Sequence, residues 1–381
     1  MRQDEQEGCS RSSGVPALPN ATSLRSARRS ARFAVAAALI AGSILTACGG
    51  GNTGVPGYST ALPSTVGKPA KGTGTMVIVN GDNLWTVRAD GSHPAQLTHE
   101  TNGNFANNPV FSPDGRLIAY AYHVAPQGNS WGGSEIHVMH VDGTDDRVLV
   151  PAKAKGERAE NPAWAPDGKS IYFGHDIPII DQSNRYTGDT TTIDRVDLAT
   201  SEQQGVLKDA IFPAISRSGT FAWVDYNMAD ASFKLVVGRP DGSAGRVLLT
   251  QQDFQAVYSP EVSPHGNSII FSGSGRTGSK VPSAANPLAV ILNPLVPGVA
   301  QAHGLPWDPW IINADGSGLR KLVSMGSDEQ ALAWSPDGKE VALANLSATY
   351  LMRADGTGFT KLLAHGDPGG LDWIAGTAPP A

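Results

Sequence analysis

One four-residue string recurs along this chain and limits the folds that it can adopt. S-P-D-G occurs at residues 112–115 and 335–338, with the variants APDG at 165–168, SPHG at 263–266 and SRSG at 216–219. In such a turn, proline presets φ near about −65°, aspartate tolerates the next position, and glycine takes the position where φ is often positive. Each copy follows an apolar residue and precedes an alternating apolar run, which predicts two strands joined by a tight turn.

A second string, D-G-[ST], follows a strand-like run and precedes a short apolar run such as VLLT or KLL. This chemistry is typical of a hairpin. Together the two strings predict that each repeat contains four short antiparallel strands. The copies of the second string, with a degenerate sixth, begin at Asp90, Asp142, Asp241, Asp315, Asp355 and Asp197.

The spacing of these strings predicts a propeller. The first string recurs at intervals of 53, 51, 47 and 72 residues, and four-stranded units of about 40–50 residues are typical of propeller blades. The alternative, an all-β sandwich, does not explain the reuse of one turn string. Five copies of the first string against six of the second leave one strand missing, and residues 371–375 at the C-terminal end supply it. We therefore predict an all-β, six-bladed β-propeller of four-stranded antiparallel blades, closed by pairing of this C-terminal strand with the first blade.

The full repeat, P-x-[WF]-S-P-D-G-K-x-I-x-[YF] followed by a D-G-[ST] unit, resembles the TolB-type, WD-like propeller repeat over residues 76–381. The N-terminal α/β domain of TolB is not expected, because a lipoprotein signal and a tether precede the repeats. The resemblance implies a TolB-like propeller at the cell envelope, and it leaves TolB's own role in the Tol–Pal complex in doubt. The same propeller type also resembles the propellers of prolyl-oligopeptidase-like enzymes and of some oligosaccharide lyases.

The N-terminal region resembles an export signal. Residues 24–32 carry four arginines and no acid, and residues 33–45 are thirteen apolar or small residues, too few for a bilayer that needs about 20. The stretch ends in Leu-Thr-Ala-Cys48, which resembles the bacterial lipobox, in which the cysteine is acylated. We predict a lipoprotein signal peptide over residues 1–47 with Cys48 as the lipidation site. A plain signal peptide with an incidental cysteine is the alternative.

The composition limits the classes of partner that the chain can bind. Residues 48–75 are rich in Gly, Pro, Ser and Thr and predict a flexible tether. Cleavage before Cys48 leaves 23 basic and 32 acidic residues, so no basic field attracts nucleic acid. We expect an exported monomer without a cofactor, lipid-anchored on the periplasmic or extracellular side of an envelope membrane.

The candidate binding face follows from strand direction. Both short turn types fall at one end of the blades, so the long connections over residues 121–135, 174–191, 225–232 and 274–306 lie at the other. Long loops on a rigid scaffold are where binding residues concentrate. No catalytic or metal-binding residue is assigned. The candidate binding residues on the long-loop face are His123, Trp131, His175, Asp176, Tyr186, His303 and Trp307.

The predicted function is a protein-binding or scaffolding module for an envelope protein or peptide. The alternative is a metal-assisted lyase or hydrolase acting on a polysaccharide, in which histidines such as His123 and His175 converge on a metal at the channel mouth, as the resemblance to propeller lyases implies. No H-E-x-x-H, G-x-S-x-G or Walker string is present. The apolar stretch at residues 286–299 either contacts a partner, membrane or second subunit or folds back over the propeller.

Overall fold

The computed structural model describes residues 72–126, 132–227, 232–276, 307–327 and 329–376, in which every regular element is a β-strand. Cys48, the signal peptide and residues 286–299 lie outside these ranges. The strands are β1 Thr75–Asn80, β2 Asn83–Arg88, β3 Ala95–Gln96, β4 Phe105–Phe111, β5 Leu117–Val124, β6 Gly133–His140, β7 Arg147–Val150, β8 Arg158–Trp164, β9 Ser170–Ile180, β10 Tyr186–Asp197, β11 Gln203–Lys208, β12 Ala210–Ile215, β13 Phe221–Asn227, β14 Ser232–Gly238, β15 Arg246–Thr250, β16 Ala256–Val262, β17 Ser268–Ser274, β18 Trp307–Asn313, β19 Arg320–Lys321, β20 Ala331–Trp334, β21 Glu340–Asn345, β22 Ala348–Arg353, β23 Thr360–Leu363 and β24 Leu371–Ile374.

These strands form antiparallel meanders of four. Four sheets have the orders β24-β1-β2-β3, β12 to β15, β16 to β19 and β20 to β23. A fifth, eight-stranded sheet consists of two such meanders, β4 to β7 and β8 to β11, joined by one parallel pair between Ser134 and Arg158. The predicted all-β class and four-stranded antiparallel units are confirmed.

The C-terminal strand belongs to the first meander. β24 pairs with β1 so that Trp373 lies opposite Met76 and Asp372 opposite Val77. The Trp373 indole also donates a hydrogen bond of 2.8 Å to the Thr73 carbonyl. The first strands of consecutive meanders contact one another in the order β4, β8, β12, β16, β20, β24 and back to β4. A cavity of about 140 Å³ is lined by residues of all six of these strands, among them Val110, Ala163, Ala214, Glu261, Trp334 and Asp372.

The recurring strings form the predicted turns through their own side chains. In the first copy, the Ser112 hydroxyl donates to Asp114 at 2.7 Å and Gly115 has a φ of 71°. In a copy of the second string, Asp142 accepts hydrogen bonds from the backbone and hydroxyl of Thr144, which lower the pKa of its carboxyl. Local chemistry alone therefore specifies both turns.

A bulge in the first strand of four meanders was not predicted. The residue before each proline has a positive φ, between 46° and 54°, at Asn108, Asn161, Phe212 and Ser259. The pairing register with the following strand shifts at each of these places. A bulge bends its strand and re-aims the neighbouring side chains. In each of these strands the segment before the proline therefore lies at an angle to the segment after it.

The apolar core lies between consecutive meanders. In one cluster, Val77 and Leu84 of the first meander pack with Ile118 and Tyr120 of the second, and all four are at least 99% buried. Equivalent clusters join the later meanders, and another joins the last to the first. Burial of this apolar area is the main term that stabilises the fold.

Candidate functional site

The connection over residues 174–191, expected as a long loop, is mostly strand. β9 continues to Ile180 and β10 begins at Tyr186, which makes a hairpin of 11 and 12 residues. The pairing of β8 with β9 extends only as far as Asp176, and the pairing of β11 with β10 extends only as far as Thr192. Residues 177–190, here called the projecting hairpin, therefore extend beyond both neighbouring strands.

The two faces of the projecting hairpin differ in chemistry. Side chains alternate along a strand, and Asp189 lies opposite Pro178, so Asp176 and Asp189 share one face. Ile177 and Ile179 occupy the other face and are 38% and 49% exposed. One face is thus acidic and buried, and the other is apolar and open.

The acidic face meets an arginine of the neighbouring strand β8. Arg158 Nη2 lies 3.3 Å from Asp176 Oδ2 and 3.7 Å from Asp189 Oδ2, and its Nε lies 4.0 Å from Glu160 Oε1. The Tyr186 hydroxyl donates to Asp189 Oδ2 at 2.6 Å. Three carboxylates thus surround one guanidinium. We call His123, Arg158, Glu160, Asp176, Tyr186 and Asp189 the charge cluster.

The charge cluster has more acid than base. Burial raises the pKa of Glu160 to about 7, and the Asp176 carboxylate adds to the increase, while Arg158 and Ser134 oppose it. Burial also raises the pKa of Asp176, where the nearby Asp189 charge acts in the same direction. One guanidinium does not fully compensate three buried carboxyl groups, so the cluster favours an additional positive charge.

His123 belongs to the same cluster and is neutral at pH 7. Its ring stacks on Phe105 with centroids 4.2 Å apart and an interplanar angle of 8°. Burial, and then the positive charge of Arg158, lower the pKa of His123 to about 4. A neutral imidazole has one nitrogen that can accept a hydrogen bond.

Four buried side-chain atoms in the described ranges have no hydrogen-bond partner, and all four belong to the charge cluster. Buried polar atoms are nearly always hydrogen-bonded, so their concentration at one place marks it as different from the rest of the fold. The four atoms are His123 Nε2, Arg158 Nε, Asp176 Oδ1 and Asp189 Oδ1.

His175, one residue before Asp176, lies in a second cluster, in which the cation is hydrogen-bonded to both of its carboxylate neighbours. Its Nε2 is 2.7 Å from Glu157 Oε1 and its Nδ1 is 2.9 Å from Asp194 Oδ2. Both nitrogens must donate, which requires the imidazolium form. Burial lowers the pKa of His175, but the hydrogen bonds to Asp194 and Glu157 outweigh it, so the pKa is raised. We call Glu157, His175 and Asp194 the histidine bridge.

The histidine bridge bears on the predicted metal alternative. Both ring nitrogens of His175 already face carboxylates, and an imidazolium has no lone pair for a metal ion. Within the described ranges, no group of three or more His, Cys, Asp or Glu side chains has the geometry to hold one. His175 is therefore a structural residue in this conformation.

The remaining candidates divide between described and undescribed positions. Trp131 and His303 lie outside the described residues. Trp307, at the start of β18, is 6% exposed, and its ring packs edge-on against Tyr258 with centroids 6.4 Å apart. Burial, and the nearby carboxyls of Glu329 and Glu160, raise the pKa of Tyr258. Trp307 thus reaches the charge cluster only indirectly, through Tyr258.

Sequence reasoning missed Arg158 and Glu160. Both lie in β8, before the bulge at Asn161. The signal is present in the sequence, because the matched positions in β16 are Ala256 and Tyr258. Two charged residues in alternation within the first strand of one meander mark that meander as the exception.

These meanders define a β-propeller of the TolB-like type. The crystal structure of TolB from Acinetobacter baumannii matches with a TM-score of 0.58 at 16% identity, over 81% of this chain and 68% of that one. A putative TolB from Agrobacterium tumefaciens matches with a TM-score of 0.47 at 16% identity, over 76% and 90% of the two chains. An oligogalacturonate lyase in complex with manganese gives a TM-score of 0.44 at 16% identity, over 74% and 71%. At these identities the likeness extends to the fold alone.

Comparison of the sequence itself gave no relative. No protein-family model matches the chain, and no curated protein matches it. In the described residues, no helix is long and apolar enough to cross a membrane.

Proposed function

We propose that this chain is an envelope lipoprotein, lipid-anchored through Cys48, whose propeller binds a segment of another protein at the end that carries the projecting hairpin. In this proposal the propeller is a ring of six blades that β24 closes. The support for the ring is the pairing of β24 with β1 and the contacts among the six first strands. Closure of this kind leaves few exposed sheet edges.

The observation that carries the binding proposal is the contrast between the two faces of the projecting hairpin. The apolar face presents Ile177 and Ile179 to solvent, and the acidic face holds two of the four buried atoms without partners, Asp176 Oδ1 and Asp189 Oδ1. The strand edges of the hairpin beyond Asp176 and Thr192 are also outside the neighbouring pairing. An extended protein segment can use all three features, since it pairs with open strand edges and places alternate side chains on both faces.

A protein partner is a better proposal than a polysaccharide substrate cleaved with a metal. One of the histidines named for the metal alternative, His175, has both nitrogens engaged by Glu157 and Asp194. Trp131 and His303 stay proposed binding residues, and the chain is proposed to act as a monomer without a cofactor.

Site-specific photocrosslinking tests the binding face. A photoreactive amino acid at Ile179, in cells that express the lipoprotein, should give a defined adduct with an envelope protein. The matched control is the same substitution at Val247 on the outer strand β15, because both side chains are 49% exposed. Equal adducts from both positions, or no adduct from Ile179, would contradict the proposed face.

The anchor has a separate test. Cys48→Ala should move the protein from the membrane fraction to the soluble fraction, because the acyl chain can no longer be attached. Mass spectrometry of the wild-type N-terminal peptide should show the lipid on Cys48. Membrane retention of the Cys48→Ala variant would refute the lipid anchor without bearing on the binding face.

A further inference from the structure

The charge cluster leaves single acceptor atoms open rather than whole carboxylates. Asp176 Oδ2 and Asp189 Oδ2 face Arg158, and Tyr186 also donates to Asp189 Oδ2. The open atoms are the other oxygen of each aspartate and His123 Nε2. They are deeply placed, since the Asp189 side chain is 5% exposed and Asp176 is 8% exposed.

This pattern discriminates between cationic groups. A guanidinium binds a carboxylate best through both oxygens at once, and neither aspartate has both oxygens open. An ammonium group is a compact charge with three N–H donors. The open oxygens of Asp176 and Asp189, two aspartates that face the same Arg158 Nη2, supply two separate acceptors for it.

The charge balance favours the same ligand. Glu160, Asp176 and Asp189 share Arg158 as their cation. A second cation brought into this buried site relieves the repulsion among the three acids, and its attraction is strengthened by the low local dielectric. The two open aspartate oxygens also replace part of the water that the ammonium loses.

We propose that the charge cluster recognises a primary ammonium group of the bound protein segment, either a lysine side chain or an amino terminus. This inference rests on the proposed function, because it names the chemistry that the binding face selects. The acceptor atoms have no solvent contact in this structure, so the ammonium enters by displacing Tyr186. The Tyr186 hydroxyl donates to Asp189 Oδ2, and Tyr186 is itself 39% exposed.

The experiment is a selection of random peptides against the purified full chain in detergent, followed by affinity measurement. Selected peptides should lose affinity about tenfold or more against the Asp189→Asn variant, because a charge-assisted hydrogen bond is removed. They should keep their affinity for Asp142→Asn, a matched control in one of the short turns, whose carboxylate accepts from Thr144. Acetylating the peptide's amino terminus, or replacing its lysine with norleucine, identifies which ammonium is recognised.

The outcomes separate the two proposals. Peptides that lose binding to Ile179→Asp but are unaffected by Asp189→Asn, acetylation and norleucine would overturn the ammonium inference and leave the binding face intact. Selection of no peptide would overturn the proposed function and the inference with it. Glu160→Gln removes another carboxylate of the cluster and gives an independent measurement if Asp189→Asn fails to fold, which thermal melting reveals.

Discussion

The histidine bridge and the charge cluster each include one of two consecutive residues of β9, His175 and Asp176, whose side chains lie on opposite faces of the strand. The two clusters differ in how their buried charges are paired. In the bridge, one imidazolium lies between two carboxylates at 2.7 and 2.9 Å, and Glu157 also accepts from the backbone of Lys153 and Ala154. In the charge cluster, one guanidinium serves three carboxylates at 3.3 to 4.0 Å, and four buried atoms have no partner. A satisfied buried network stabilises a fold, whereas an unsatisfied one is a candidate for ligand recognition.

The largest effect is expected from His175→Phe. The substitution leaves the Glu157 and Asp194 carboxylates buried without their cation, and loss of one member of a buried ion pair costs about 3 kcal/mol or more. Denaturant unfolding monitored by tryptophan fluorescence should show this loss in the free energy of unfolding. A change below about 1 kcal/mol would mean that the bridge contributes no more than a surface ion pair.

The two histidines should titrate far apart. His123 is expected to stay neutral down to about pH 4, whereas His175 is expected to stay protonated above its ordinary pKa of about 6.5. Ring nitrogen shifts in NMR, assigned with His123→Gln and His175→Gln variants, measure both values. The raised His175 pKa contributes stability that is complete below about pH 6.5 and is lost as the pH rises through the folded-state value. Titration of the two rings at the same pH would remove the distinction between the clusters.

Glu160→Gln tests a second linkage of the same sign, which arises from burial of a carboxyl group rather than from ion pairing. The pKa of Glu160 is raised to about 7 in the folded state, against about 4.3 for an ordinary glutamate. The folded chain therefore holds more protons than the unfolded chain between these values, and stability falls as the pH rises through that window. The variant should lose this decrease and become more stable than the wild type at pH 8. An unchanged pH profile of the unfolding free energy would show that Glu160 is not the group responsible.

The smallest effect is expected from Asp189→Asn. It removes one carboxylate from a cluster with excess acid and leaves the amide oxygen to accept from Tyr186, so the free energy of unfolding should change by less than about 1 kcal/mol. Glu157→Gln in the histidine bridge is the matched comparison and should cost clearly more. Thermal melting of both variants at pH 7 tests this prediction. Equal losses of stability would contradict the assignment of different roles to the charge cluster and the histidine bridge.

Much of the fold could be predicted from sequence because its turns are local. Ser112, Asp114 and Gly115 form their turn from neighbouring side chains and backbone, so the repeat indicated the strand pattern directly. The pairing of Trp373 with Met76 was also predictable, since the count of repeats left one strand missing. The bulges before the prolines were not predicted, because a positive φ at Asn108 or Phe212 depends on how the strand packs within the sheet.

The candidate site was predictable in part. Strand direction predicted His123, Asp176 and Tyr186 on one face. In the structure Asp176 and Tyr186 lie beside Arg158, whose charge also acts on His123. Arg158 and Glu160 were missed, because the candidates were taken from the long connections and these two residues lie in the strand β8. His175 was predicted on the binding face, but its two carboxylate partners make it part of the framework.

The sequence by itself determined the turns, the four-stranded units and their order along the chain, because these depend on residues that are neighbours in the chain. Only the tertiary structure decided which of two consecutive residues, His175 or Asp176, has its hydrogen bonds satisfied. The partners of His175 come from the segment before β8 and from β10, and those of Asp176 come from β8 and β10. Whether a buried charge is balanced depends on what the folded chain brings within a few ångströms of it, and no local pattern carries that information.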